Sequence, residues 1–154
     1  MRVATRYESW MRQARRDLEY AEKSLEQGYY EWACFAAHQS AEKAVKAVFF
    51  RLNAAAWGHS ISALLQQLPA PWQAAPHLVD AARELDGHYI PPRYPNAYPE
   101  GAPYEYYTRR TAERAIGHTR DILAFCERLL AGYPRSEEAS AQGGQAVGES
   151  PLGD

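Results

Sequence analysis

The chain has 154 residues, 46% of them hydrophobic, and a formal net charge of −2. The length fits one domain, and the apolar content excludes a chain that is disordered throughout. A charge this close to neutral excludes a globally basic nucleic-acid-binding protein, although a local basic patch is still possible. Two cysteines, Cys34 and Cys126, are too few for a disulfide framework, and no stretch is apolar enough to cross a membrane. We therefore expect a small cytoplasmic domain that does not contact a membrane.

Apolar residues recur at helical spacing through most of the chain, and no stretch alternates with the period of a β-strand. Turn residues and prolines divide this pattern into five segments. The predicted helices are one that follows Thr5 and ends near Gly28, one from Tyr30 to Asn53, one from Ser60 to Leu68, one from Pro76 to His88, and one from Glu105 to Leu130. The sequence thus predicts an all-α fold, a five-helix antiparallel up-and-down bundle.

The last 21 residues differ in composition from the rest. Residues 134–154 have no aromatic side chain and are rich in Gly, Ser, Glu and Ala. Such a segment buries too little apolar surface to offset the entropy lost on ordering. We predict a helical domain over residues 1–133 and a flexible tail over residues 134–154.

The connection before the last predicted helix is unusual. Residues 87–107 contain five of the ten prolines and six of the eleven tyrosines. Long connections without regular structure are uncommon in compact domains and often functional. Arg93 offers a fork for a phosphate, and Tyr89, Tyr94 and Tyr98 offer stacking faces. The alternative is that the tyrosines cover one end of the bundle and Arg93 fastens the loop.

Two further groups of polar residues have a functional and a structural interpretation. Arg109 and Arg110, with Arg114 one turn on, lie in the first turns of the fifth helix, where cations oppose the macrodipole. They indicate either an anionic partner or an acidic neighbour.

His38, Glu42 and Lys46 lie one turn apart on the second helix. A histidine and a carboxylate at this spacing can ligate a metal, but there is no second histidine one turn away. We favour a solvated salt-bridge face or a polar network between helices, and predict no metal site and no cofactor.

Three separated elements resemble one family. They are ACFAAHQSAEKAVKAVFF (residues 33–50), GHSISALL (58–65) and LDGHYIPPRYP (85–95). In this order they resemble the HEPN domain family over about residues 7–130. The resemblance implies a helical bundle that commonly pairs as a homodimer and binds nucleotides or RNA. It also implies a minimal nucleotidyltransferase as partner, in a toxin–antitoxin-like pair.

The resemblance also suggests site residues. For a binding module, Arg93 and Tyr94 would contact the ligand, with His59 and His88 nearby, and Lys43 would contact a phosphate. Arg109 and Arg110, from the fifth helix, would line a basic groove together with Arg93.

Many HEPN toxins are metal-independent ribonucleases with an Arg-x(4–6)-His motif, which Arg83 and His88 match with four residues between them. In that alternative His88 is the acid–base group and arginine anchors the phosphate. The toxins place the motif at the start of the last long helix, whereas this pair ends the fourth. A third alternative is a purely structural interaction subunit.

Overall fold

A computed structural model describes residues 6–132 of the chain. Within that range it contains five α-helices and no strand. The helices are α1 (Arg6–Glu26), α2 (Tyr30–Arg51), α3 (Ile61–Gln66), α4 (Pro76–Asp86) and α5 (Arg109–Gly132). This confirms the predicted five-helix antiparallel bundle. The predicted tail, residues 134–154, lies outside the described residues, so the domain division stays a prediction. None of the described helices is long and apolar enough to cross a membrane.

The ends of α1 and α2 share one motif. Gly28 has φ +84°, and the Tyr29 amide donates to the Ser24 carbonyl at 2.9 Å while the Gly28 amide donates to Leu25 at 3.1 Å. This is a Schellman cap, which needs a left-handed residue just after the helix. Asn53, with φ 58°, ends α2 in the same way. The second helix therefore ends at Arg51, two residues earlier than predicted.

The start of α5 was predicted four residues too early. Glu105 belongs to a 3₁₀ turn, Pro103–Glu105, and its carboxylate accepts from the Ala102 amide at 2.9 Å. The helix begins at Arg109, where the Thr108 hydroxyl accepts from the Thr111 amide at 3.2 Å. A hydroxyl acceptor before the first turn is a typical N-cap, and it fixes the helix start.

Helix α2 is the centre of the bundle, with α1 and α5 packed along it and α3 and α4 gathered at its flank. Six of its buried residues are alanines, which allow the neighbouring helices to approach closely. Two buried hydroxyls join the long helices: Ser40 donates to the Ala14 carbonyl at 2.6 Å, and Thr119 donates to the Ala37 carbonyl at 2.8 Å. Both cysteines, Cys34 and Cys126, are buried and free.

The proline- and tyrosine-rich connection folds back onto the bundle between α4 and α5. It contains two 3₁₀ turns, Pro95–Ala97 and Pro103–Glu105. Pro92 and Tyr107 are buried, whereas Tyr94 and Tyr104 are exposed. The connection thus covers part of the bundle and still presents side chains to solvent.

Candidate functional site

The centre of the candidate site is a guanidinium held among three aromatic rings. The Arg93 Cζ atom lies 4.5 Å from the ring centroid of Phe35, 4.6 Å from that of Tyr89 and 5.3 Å from that of Tyr94. Arg93 Nε also donates to the Tyr89 carbonyl at 2.7 Å. A guanidinium with covered faces and one bonded nitrogen has little rotational freedom left. We call these four residues the Arg93 stack.

The local chain explains why Arg93 stands there. The Arg93 amide donates to the Ile90 carbonyl at 3.0 Å, which closes a turn through Pro91 and Pro92. Proline fixes its own φ near −65°, so two of them restrict the turn to few conformations. Pro92 is fully buried and anchors this turn on the bundle. Arg93 is therefore presented by a stiff, anchored loop.

A polar network lies beside the stack and is centred on Glu42, whose side chain is only 8% exposed. Its carboxylate faces Lys46 Nζ at 3.0 Å and His59 Nδ1 at 3.1 Å. The His59 ring stacks on Tyr89 with centroids 4.4 Å apart and planes 18° apart. A buried carboxylate needs such partners, since desolvation otherwise disfavours its charge. The polar network predicted for this helix face is present, and its second histidine comes from the α2–α3 loop.

The hydrogen-bond partners of the buried His38 ring determine which of its two nitrogens carries the proton. Its Nε2 atom lies 3.0 Å from the His59 carbonyl oxygen, which can only accept a hydrogen bond. Burial lowers the pKa of His38, and the Glu42 carboxylate only partly opposes this. The neutral ring therefore carries its proton on Nε2, and Nδ1 is an acceptor. The structure places Gln39 Oε1 3.2 Å from Nδ1, and because an acceptor Nδ1 needs a donor, we infer that the Gln39 amide turns its NH₂ group toward His38.

Arg93 differs in its partners from six other arginines. Within residues 6–132, ion pairs with Asp or Glu are formed by Arg15, Arg16, Arg83, Arg109, Arg114 and Arg120. Over residues 6–132, Arg93 forms no ion pair, and its two terminal nitrogens form no hydrogen bond. The arrangement therefore offers an ordered pair of N–H donors to an anion.

Three other predicted ligand-binding residues lie outside the stack. Lys43 faces α1 and forms an ion pair with Asp17 at 2.6 Å. Arg109 pairs with Glu113 at 3.5 Å on the exposed side of α5. Arg110 is exposed and makes no ion pair with any residue that the structure describes. Arg109 thus has an acidic neighbour, which is one of the two interpretations given above for the arginines at the start of α5.

Arg114 has an acidic neighbour as well. Its guanidinium contacts both carboxylate oxygens of Glu84, at 2.7 and 2.8 Å, and His118 Nε2 lies 3.0 Å from the same carboxylate. The Arg114 hydrogen bonds hold the pKa of Glu84 at about 2. This cluster ties α4 to α5.

The predicted catalytic pair is not joined by contacts. Arg83 is exposed and pairs with Asp80 at 3.0 Å, whereas the half-buried His88 lies 3.4 Å through Nδ1 from the Tyr107 hydroxyl. Burial, helped by repulsion from His38, lowers the pKa of His88 to about 4. In the described part of the chain no hydrogen bond links Arg83 to His88. Their catalytic role stays a prediction.

Sequence reasoning missed two residues of the site. Phe35 is half-buried and forms the floor of the Arg93 stack. Gln39 contacts His38 beside the polar network. Both lie on the α2 face that carries Glu42 and Lys46, so their spacing was the available signal.

A family model for the HEPN domain matches residues 7–129. The chain is 27% identical over 130 residues to "Putative toxin MJ1304" of Methanocaldococcus jannaschii, which covers 79% of this chain and 86% of that protein.

Three crystal structures are also similar. TT1696 from Thermus thermophilus is 46% identical with a TM-score of 0.79, covering 81% of this chain and 98% of that one. ST0689, an archaeal HEPN homologue, is 46% identical with a TM-score of 0.67, covering 79% and 95%. The HEPN domain protein tm0613 from Thermotoga maritima is 42% identical with a TM-score of 0.66, covering 81% and 99%. With a family match over nearly all of the described residues and a fold shared with these structures, the chain belongs to the HEPN domain family.

Proposed function

We propose that this HEPN protein binds a nucleotide or RNA through the Arg93 stack. The observation that carries the proposal is the ordered guanidinium without an acidic partner among the described residues. Its terminal nitrogens bind a phosphate in the two-pronged geometry that arginine favours. Little entropy is lost on binding, because the rings and the Nε bond already fix the side chain.

The neighbours of Arg93 suit the rest of a nucleotide. Tyr94 is 49% exposed and provides a stacking face for a base. The side chain of His59 is 53% exposed and stands on the other side of Tyr89. His59 Nδ1 donates to the Glu42 carboxylate, so Nε2 of the neutral ring is an acceptor and can meet a ribose hydroxyl. Phosphate, base and sugar would thus each meet one side chain.

The test is binding of a labelled single-stranded RNA by fluorescence anisotropy at a fixed salt concentration. Arg93→Ala should weaken binding about tenfold or more, since it removes charged hydrogen bonds. Arg93→Lys should recover only part of the loss, because a lysine keeps the charge and not the fork. Arg15→Ala, which breaks the ion pair with Glu127, is the matched control and should bind normally. Wild-type affinity in a folded Arg93→Ala protein would refute the role of the stack.

One finding supports the ribonuclease alternative: the Methanocaldococcus jannaschii relative is named as a toxin. Its chemistry would use His88 as acid–base and Arg83 or Arg93 as phosphate anchor. A pKa of about 4 leaves His88 neutral at pH 7 and a poor general acid there. RNA cleavage by the purified protein in EDTA, abolished by His88→Ala, would establish this activity. Its absence from a folded protein leaves the binding module.

We also propose that a minimal nucleotidyltransferase is the partner of this protein, in a toxin–antitoxin-like pair, and that the cytoplasmic protein is a homodimer. The family and the name of the relative support this pairing. Growth arrest on expression of this chain alone, relieved by co-expression of the nucleotidyltransferase, is the expected result. Co-purification and light scattering would measure the complex and the dimer. Unaffected growth together with no co-purification would contradict the pairing.

A further inference from the structure

A cavity lies at the turn between α1 and α2, outside the Arg93 stack. Its volume is about 400 Å³, and it is lined by Tyr20, Lys23, Ser24, Gln27, Tyr29 and Trp32. The three aromatic side chains are unusually open: Tyr20 is 58% exposed, Tyr29 56% and Trp32 40%. Exposed rings gathered around a cavity typically mark a binding surface.

This cavity lies beside the Arg93 stack. The Trp32 and Phe35 rings lie 6.2 Å apart, edge to face at 80°. Phe35 in turn lies under the Arg93 guanidinium at 4.5 Å. One half-buried ring therefore separates the cavity from the proposed phosphate site, and a ligand longer than one nucleotide that leaves the stack in this direction reaches Trp32.

The lining of the cavity has the chemistry of a nucleotide subsite. Lys23 is its only charged lining residue, and over residues 6–132 it forms no ion pair. Gln27 adds an amide group that can meet the edge of a base. Rings that stack bases beside a cation that meets the backbone are the usual means of holding single-stranded nucleic acid.

We propose that the cavity between α1 and α2 is a second subsite, which binds a further nucleotide of a single-stranded oligonucleotide held at Arg93. Trp32 stacks on the base and Lys23 neutralises the phosphate. This inference rests on the proposed function and makes the ligand an oligonucleotide instead of a mononucleotide. Charge favours this occupant, because an anionic strand complements both Lys23 and Arg93.

The experiment compares two probes, uridine monophosphate and an oligouridylate of about eight nucleotides. Trp32→Ala should weaken binding of the oligouridylate about tenfold and leave that of uridine monophosphate unchanged. Arg93→Ala should weaken both. Lys23→Gln should lower the slope of log affinity against log salt by about 0.7, the value for one phosphate contact on a single strand. Tyr104→Ala, at a residue 66% exposed outside the cavity, is the matched control and should change neither affinity.

The outcomes separate the two proposals. If both probes bind the wild type and Trp32→Ala leaves the oligouridylate affinity unchanged, the subsite is wrong and the Arg93 site stands. If neither probe binds, the proposed function fails and the subsite fails with it. Light scattering decides whether the surface instead pairs two copies: a dimer that dissociates in Trp32→Ala would overturn the inference.

Discussion

The acid sensitivity of the fold should depend on His88. Burial lowers the pKa of this ring from its ordinary 6.5 to about 4, with repulsion from His38 adding to the effect. Between these pH values the unfolded chain binds a proton that the folded protein does not. The free energy of unfolding therefore rises with pH in this window. The full contribution of His88 is present above pH 6.5 and is lost as the pH falls toward 4.

The two pKa values of His88, folded and unfolded, set the size of this pH effect on the free energy of unfolding. Between pH 7.5 and pH 5, the two pKa values of His88 imply a loss of at most about 2 kcal/mol in the free energy of unfolding. His88→Asn removes the titrating group and keeps a polar atom near the Tyr107 hydroxyl, which lies 3.4 Å from Nδ1. The variant should therefore lose about 2 kcal/mol less than the wild type over this interval.

Urea denaturation at a series of pH values measures this difference. His77→Asn makes the same replacement at an exposed position of α4 and serves as the control. It should keep the pH dependence of the wild type. If His88→Asn and the wild type lose the same free energy between pH 7.5 and pH 5, the burial argument for His88 is refuted.

Three other stability predictions concern polar contacts between helices, all measured by denaturation at pH 7. Asp86→Ala should lower the free energy of unfolding by about 1–2 kcal/mol, because this carboxylate accepts from the first amides of α3, as an N-cap does. The control Asp80→Ala, at an exposed position of α4, should lower it by less. Equal losses in the two variants would contradict the capping role of Asp86. Thr119→Val should lower the free energy of unfolding by about 1 kcal/mol, since it removes the buried hydrogen bond that the α5 hydroxyl donates to the Ala37 carbonyl of α2. An unchanged midpoint would show that this bond contributes nothing. Glu84→Gln should cost about 1 kcal/mol or less because its pair with Arg114 is exposed. The Glu84 pKa of about 2 places its stabilising effect above pH 4.5 and its loss at lower pH, so a difference between the wild type and Glu84→Gln that stays the same as the pH falls from 7 toward 2 would contradict the assignment.

The fold could be predicted because each boundary has a local cause. Gly28 was expected to end α1, and its positive φ shows why glycine suits that position. The start of α5 was missed because the residues after Pro103 are compatible with either a 3₁₀ turn or a helix. Only the capping contact of Thr108 separates these possibilities, and that contact exists only in the folded chain.

The site was predictable only in part. The composition of the loop pointed to Arg93 and Tyr94, and both belong to the stack. The pairing of Glu42 with His59 joins residues 17 positions apart across an irregular loop, which no periodic pattern describes. Lys43 was expected near the ligand, but one step along α2 from Glu42 turns a side chain toward α1 and Asp17.

The Arg93 stack and its network take residues from three stretches of chain: Phe35 and Glu42 from α2, His59 from the α2–α3 loop, and Tyr89 and Arg93 from the loop before α5. The unfolded chain has no such arrangement, so a ligand of the site binds only the folded protein. Mass action then raises the melting temperature, by the equivalent of about 2.7 kcal/mol at a ligand concentration a hundred times Kd. Unlabelled nucleotides and oligonucleotides can therefore be ranked by thermal shift alone, with Arg93→Ala showing which of the shifts arise at the stack.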